Sequence, residues 1–303
     1  MAATNSLPRV PSPERSPLPA LVGVTAVWGV TFVQVQDALE LYPLFAFLAV
    51  RFAISTAVLA PFAWRPLRRL SREGLLAGVA VGTLLAAAYG LQTAGLERTT
   101  VASTGFITGL YVVVAPLLAL ALFGTRAPAA VWVGVACAVV GLVLLNGVPG
   151  GSAAGNALVL GAAIVTGVQI VLLERFAPRH DVTALTFLQM GTALVGFAAL
   201  AVATGQVEFP RGWTVWAALV VTGVFAGALG FLVATWVQAR TTAARAALVF
   251  TLEAPFAAVF GVLIAGEVLG WAGWLGCAVM MTGIVLAEPA AAEALRRLVP
   301  RAR

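Results

Sequence analysis

Residues 98–145, RTTVASTGFITGLYVVVAPLLALALFGTRAPAAVWVGVACAVVGLVLL, and residues 240–287, RTTAARAALVFTLEAPFAAVFGVLIAGEVLGWAGWLGCAVMMTGIVLA, are two versions of one segment. An offset of 142 aligns Arg98, Thr99 and Thr100 with Arg240, Thr241 and Thr242, and Gly124 with Gly266. It also aligns Trp132 with Trp274, Gly134 with Gly276 and Gly141 with Gly283, and Thr93 with Thr235 just upstream. Earlier in each half an offset of 138 matches Gly23 with Gly161 and Gly29 with Gly167, and sets Arg51 opposite Gln189. The change of offset fits in one loop. Self-similarity of this kind marks an internal repeat.

Each copy is a series of apolar stretches of about 20 residues, the length that crosses the hydrocarbon core of a bilayer as a helix. The first copy, residues 19–146, holds spans at 19–37, 43–63, 74–95, 101–123 and 127–146. The second, residues 155–287, holds spans at 155–173, 183–203, 213–236, 243–264 and 270–287. The expected fold is all-α and membrane-integral, with ten transmembrane helices. Five is odd, so the second copy must enter the membrane from the side opposite the first, making the copies inverted repeats. That plan recurs in secondary transporters, with the substrate site near the midplane between the repeats.

Composition agrees with a lipid solvent: 61% of the residues are hydrophobic and 10% charged, against roughly 45–50% and 25% in soluble domains. The net charge of +6 does not point to nucleic acid, because the arginines lie in short segments between apolar runs. Basic residues collect in cytoplasmic loops. With the N-terminus inside, all of the 18 arginines except Arg51, Arg98 and Arg211 fall on the cytoplasmic side. Both termini are therefore expected in the cytoplasm and the chain in the cytoplasmic (inner) membrane. Residues 1–18, rich in Pro and Ser, are expected to be a disordered tail, and residues 288–303 a basic one. Cys137 and Cys277 form neither a CxxC pair nor a metal cluster.

Polar side chains at bilayer depth are costly and face a cavity or a partner. Glu253, central in the ninth span, reads as a proton or substrate-cation site, and Arg51 in the second span as its counter-charge or an anchor for a substrate carboxylate. A structural ion pair, or an arginine snorkelling to the headgroups, is the competing reading. Thr104, Thr108 and Tyr111 share one face of the fourth span, and their equivalents in the ninth are Ala246, Phe250 and Glu253. Trp28 and Thr31 of the first span match Thr166 and Gln169 of the sixth. Tyr89, Gln92 and Gln189 complete the candidate cavity lining. Pro116 and Pro255 are expected to interrupt the fourth and ninth spans and to free the carbonyls of Val112 and Thr251. Trp64, Trp213 and Trp271 read as interfacial anchors. The pairs Gly78/Gly82, Gly105/Gly109 and Gly223/Gly227 read as helix-packing devices.

Several segments together resemble the drug/metabolite transporter superfamily with EamA-type domains. They are VWGVTF (27–32), AVRFAIS (49–55), GFITGLYVVVAPLLALAL (105–122), GVACAVVGLVLL (134–145) and the closing block 251–286 with its GE before the last span. The first half departs from the pattern with Gly124-Thr125, so Glu267 has no counterpart there. The resemblance implies export of amino acids, other metabolites or drugs from bacteria. A small-molecule substrate and membrane lipids are the expected partners, in a monomer or weak homodimer. No cofactor or metal is implied.

An intramembrane enzyme acting on a lipid-linked substrate would need clustered ligands or a nucleophile with its base. The one histidine, His180, falls in a loop, and there is no HExxH, GxSxG or pair of intramembrane carboxylates. A non-transporting scaffold would not need polar residues at equivalent depths in both halves. The residues favour a transporter over an enzyme: proton-coupled through Glu253, working by alternating access, and best suited by Arg51 and Glu253 to a zwitterion.

Overall fold

A backbone in lipid has no water to satisfy its N–H and C=O groups, so a spanning segment must bond to itself. The computed structural model describes residues 16–147, 150–266 and 268–287, and no strand occurs among them. The first repeat forms α1 (Leu18–Leu39), α2 (Leu44–Arg69), α3 (Arg72–Leu96), α4 (Val101–Gly109), α5 (Tyr111–Phe123) and α6 (Ala129–Asn146). The second forms α7 (Ala153–Phe176), α8 (Val182–Ala203), α9 (Trp213–Val220), α10 (Gly230–Gln238), α11 (Ala243–Phe250), α12 (Glu253–Phe260) and α13 (Trp271–Ala287). A π-helix, Val221–Leu229, joins α9 to α10, and a shorter one, Gly261–Ala265, follows α12. Eight stretches are long and apolar enough to cross a membrane, and two shorter apolar helices, Leu18–Thr31 and Trp271–Ala287, flank them. The expected tail residues 1–15 and 288–303, and Glu267, lie outside the described residues.

The bundle is apolar on the outside as well as within: Val195 is 68% exposed, Val202 70% and Leu263 72%. Such a surface suits acyl chains and would be a liability in water. Trp64, Trp213 and Trp271 are exposed at helix ends, and the Arg68 guanidinium lies 4.3 Å from the Trp64 ring. This is the amphipathic dressing of a membrane interface.

The repeat is visible in how helices pack. Packing pairs either join equivalent helices (α2 with α8, α6 with α13) or come in equivalent couples, α3 with α7 and α1 with α10. At the α6–α13 seam a Cβ on Gly141 would stand 2.7 Å from the Gly276 carbonyl, and one on Gly276 2.6 Å from the Gly141 carbonyl. Gly134 and Gly283 meet in the same reciprocal way, at 2.9 and 3.1 Å. Early residues of α6 thus face late residues of α13, so the two equivalent helices run antiparallel and the repeats are inverted. The glycines matched across the halves are the ones that let these backbones touch. Gly124 (φ 68°) and Gly266 (φ 70°), also equivalents, end their helices in the left-handed region, where a Cβ is penalised.

Loop contacts sort the helix ends onto two faces. On one face the α2–α3 junction meets the α7–α8 junction through Glu73 and Arg179, 3.9 Å apart. On the other, the Tyr42 hydroxyl donates to the Glu208 carbonyl at 2.5 Å, and the Phe45 amide donates to Gln206 Oε1 at 2.9 Å. Burial first, and the negative Glu208 second, push the Tyr42 phenol above its usual value, so it stays a donor through the neutral range. Thr99 Oγ1 lies 2.6 Å from Asn156 Oδ1 on this second face, tying the α3–α4 turn to the start of α7. The first face carries Arg65, Arg68, Arg69, Arg72, Arg126, Arg179 and Arg240, and the second carries Arg98 and Arg211.

The seam yields a test. Gly141→Val should lower thermal stability in detergent by ~1–3 kcal/mol, the usual range for overpacking. Gly23→Ala, where nothing lies within 4 Å of the new Cβ, should leave it unchanged or slightly raised. Equal behaviour of the two in fluorescence-monitored unfolding would contradict the close approach.

Candidate functional site

The fourth and ninth spans each tighten at one point. In the first repeat the Leu110 amide donates to the Ile107 carbonyl at 3.1 Å, and α5 starts at the next residue, Tyr111. In the second, the Leu252 amide donates to the Val249 carbonyl at 3.0 Å, and α12 starts at the next residue, Glu253. Leu110 and Ile107 are the repeat equivalents of Leu252 and Val249, so the same three-residue bond recurs. Each tightened turn sets the following residue, Tyr111 or Glu253, at the head of a new helical segment inside the bundle.

The prolines act differently from the sequence expectation. Helix α5 runs through Pro116 without a break, and its tightened turn lies six residues upstream. The Thr251 carbonyl, freed of its α-helical partner by Pro255, accepts from the Ala254 amide at 3.2 Å and is not open to a ligand. The backbone has re-satisfied itself locally, as irregular turns in lipid must.

Around Glu253 gather Arg51 from α2, Tyr89 from α3 and Tyr111 from α5, all within electrostatic reach of one another or of the carboxylate. Arg51 is 8% exposed and its Nε has no hydrogen-bond partner. Its guanidinium stands 5.8 Å from the Phe52 ring, and no direct ion pair joins it to Glu253 among the described residues. The closed structural ion pair is therefore not formed. Glu253 and Tyr89 are surrounded by protein yet keep accessible surface, as side chains lining an internal hollow do. The Tyr89 ring is gripped edge-on by Phe52 and Phe197, at centroid distances of 6.1 and 6.2 Å.

Trp28 forms a second wall. Its ring stacks on Phe250 at 5.6 Å and leans on Phe231 at 5.2 Å, and its Nε1 donates to the Ala226 carbonyl at 2.9 Å. That carbonyl belongs to the π-helix, whose wider turn presents backbone acceptors that a regular helix would keep to itself. Ser55 meets the same π-helix, its Oγ 2.7 Å from the Gly223 carbonyl and 3.0 Å from the Arg51 carbonyl. This bond holds the turn of α2 that carries Arg51.

The other candidates make contacts of their own. Gln92 donates to Thr108 at 3.0 Å, leaving a polar pair between α3 and α4. Thr31 and Thr104 spend their protons on the Trp28 and Thr100 carbonyls of their own helices. Gln169 is buried on α7 with no hydrogen bond among the described residues. Gln189 is fully buried, donates to Thr235 at 3.3 Å and leaves its Oε1 unpaired, so it belongs to the α8–α10 contact. Phe52, Phe197, Phe231 and Ser55 contribute to the site although no sequence signal set them apart. The Gly223/Gly227 spacing was the nearest hint, since a Cβ on Gly227 would meet Ser55 Oγ.

Fold and site together define a multi-pass helical membrane protein with Arg51, Glu253 and two tyrosines grouped inside the bundle. The sequence model of the EamA-like transporter family matches residues 16–147 and again 153–287, and the chain belongs to that family. An uncharacterized transporter of Archaeoglobus fulgidus is 30% identical over 263 residues, which cover 87% of this chain and 82% of the relative. A solved crystal structure with 19% identity superposes with a TM-score of 0.74 over 91% of this chain and 99% of its own, a likeness of fold.

The Ser55 contact predicts a coupled pair of variants. Gly227→Ala should destabilise the protein by driving a methyl into Ser55 Oγ, and adding Ser55→Ala should recover part of the loss. A double-mutant cycle on melting temperature measures the coupling. Strict additivity would mean that α2 and the π-helix do not meet there.

Proposed function

We propose that this EamA-family protein is a secondary transporter that moves small zwitterionic organic solutes of amino-acid type across the cytoplasmic membrane. The reading adds ten spans, both termini in the cytoplasm, alternating access around the central hollow, and export as its direction. One observation carries it: Arg51 and Glu253, of opposite charge, lie within electrostatic reach inside the bundle and form no ion pair with each other. Burying either charge costs from about 2.5 kcal/mol upward, and a pair kept apart at that cost is completed by a ligand bearing both complementary charges. A solute carboxylate would meet Arg51 and its ammonium Glu253, while Trp28, Phe250 and Tyr89 would wall the apolar remainder. The hydroxyls and amides of Thr31, Gln92, Thr104, Thr108, Tyr111, Gln169 and Gln189 are second-rank candidates for lining the path.

Glu253 would also couple transport to protons. With the cavity open to one side the carboxyl takes up a proton, and on the other side it releases the proton as solute binds or leaves. Purified protein in liposomes should accumulate a radiolabelled amino acid under a pH gradient. Glu253→Gln should abolish that gradient-driven flux and leave counterflow exchange partly intact. Unchanged gradient-driven uptake in the variant would remove the proton role. Competition by N-acetylated and carboxyl-esterified analogues equal to that of the free amino acid would remove the zwitterion.

The orientation has its own test. On a background lacking Cys137 and Cys277, a cysteine at Gly205 should react with a membrane-impermeant maleimide added to intact cells. One at Ser71 should react only after permeabilisation. The reverse pattern would turn the protein over in the membrane.

A further inference from the structure

A cavity of about 490 Å³ opens on the arginine-rich face, far from the charged hollow. That volume lies within the roughly 300–1,000 Å³ usual for small-ligand pockets. It is lined by Arg65, Pro66, Arg69 and Leu70 at the end of α2, Ser71 before α3, and Arg179, His180 and Asp181 before α8. Both repeats contribute, because α2 belongs to the first and the α7–α8 junction to the second.

Its electrostatics favour an anion. Arg65, Arg69 and Arg179 bring three permanent positive charges to one concavity. Two carboxylates offset part of this charge, Glu73 facing Arg179 at 3.9 Å and Asp181 in the lining accepting the Ala184 amide as the N-cap of α8, and the lining stays net positive. Helices α3 and α8 begin at this cavity while α2 ends there, so the helix ends largely offset one another and the arginines set the field. The His180 ring completes the lining, packed against Gly74 and Phe176.

We propose that this cavity binds a phosphate group, held by Arg65, Arg69 and Arg179, and so links the two repeats. Guanidinium groups pair with phosphate through parallel N–H donors. Basic pockets between helices at this depth bind anionic lipid headgroups, and Pro66 and Leu70 give the cavity an apolar flank suited to the glycerol and upper acyl region. The same chemistry would serve a soluble phosphate ester.

The test is saturable binding to the full-length protein in detergent, read by thermal shift and by native mass spectrometry. The probes are phosphatidylglycerol, phosphatidylcholine and inorganic phosphate. Saturable binding of one phosphatidylglycerol, with no effect of millimolar inorganic phosphate, supports the site with a lipid as its source. Saturation by inorganic phosphate supports it with a soluble source. The triple variant Arg65→Gln/Arg69→Gln/Arg179→Gln should weaken the responding probe about a hundredfold, near fivefold per arginine. Arg69→Gln alone should cost about fivefold should the triple variant not fold. The charge-matched control Arg126→Gln/Arg175→Gln/Arg240→Gln should stay within about twofold. No saturable response to phosphatidylglycerol or phosphate, equal binding of phosphatidylcholine, or an equal loss in the control would each overturn the proposal.

Discussion

Every backbone amide and carbonyl of this protein that sits among acyl chains has to find its partner within the chain. That constraint makes the whole described bundle helical, and it also governs the exceptions. The tightened turns at Leu110 and Leu252 keep their amides paired through three-residue bonds. The π-helix hands its Ala226 and Gly223 carbonyls to Trp28 and Ser55. Irregular backbone occurs where neighbouring side chains complete it, which is inside the bundle and around the charged hollow.

Chemistry enters where the repeat symmetry is broken. The architecture places Tyr111 and Glu253 at equivalent helix heads, yet only one of them is a carboxylic acid. Arg51 is buried on α2, and its equivalent Gln189 on α8 is a neutral amide bonded to Thr235. Trp28 stacks on Phe250, whereas its counterpart Thr166 is too small to build such a wall. The two repeats supply equivalent positions inside the bundle, and substitutions in each half make those positions chemically unlike.

Much of this was legible in the sequence because contrast was high. A carboxylate or a guanidinium among leucines and valines is conspicuous, and paired glycines at a constant offset survive any drift of apolar neighbours. Arg51, Glu253, Tyr111 and the α6–α13 glycines stood out for those reasons. Phe52, Phe197 and Phe231 did not, since an aromatic ring in an apolar helix looks the same whether it faces lipid or the site. The π-helix was illegible because its extra residue per turn arises from contacts with α1 and α2, not from local preference. The prolines misled: Pro116 marks no break, and the turn at Leu110 has no residue that announces it. Gln189 was conspicuous too, but its bond to Thr235 was not legible, because a polar residue at depth reports a need for a partner without saying which one.

The α6–α13 seam carries a mechanical consequence. Where two helices touch through glycine backbones, the contact itself has no rotamer to adjust, and only flanking side chains such as Met280 and Cys137 can give. The pair can pivot as a unit but has no soft degree of freedom with which to slide. Such a backbone seam resembles a keel, stiffer against sliding than the contacts elsewhere in the bundle that are made through leucine, valine and phenylalanine side chains.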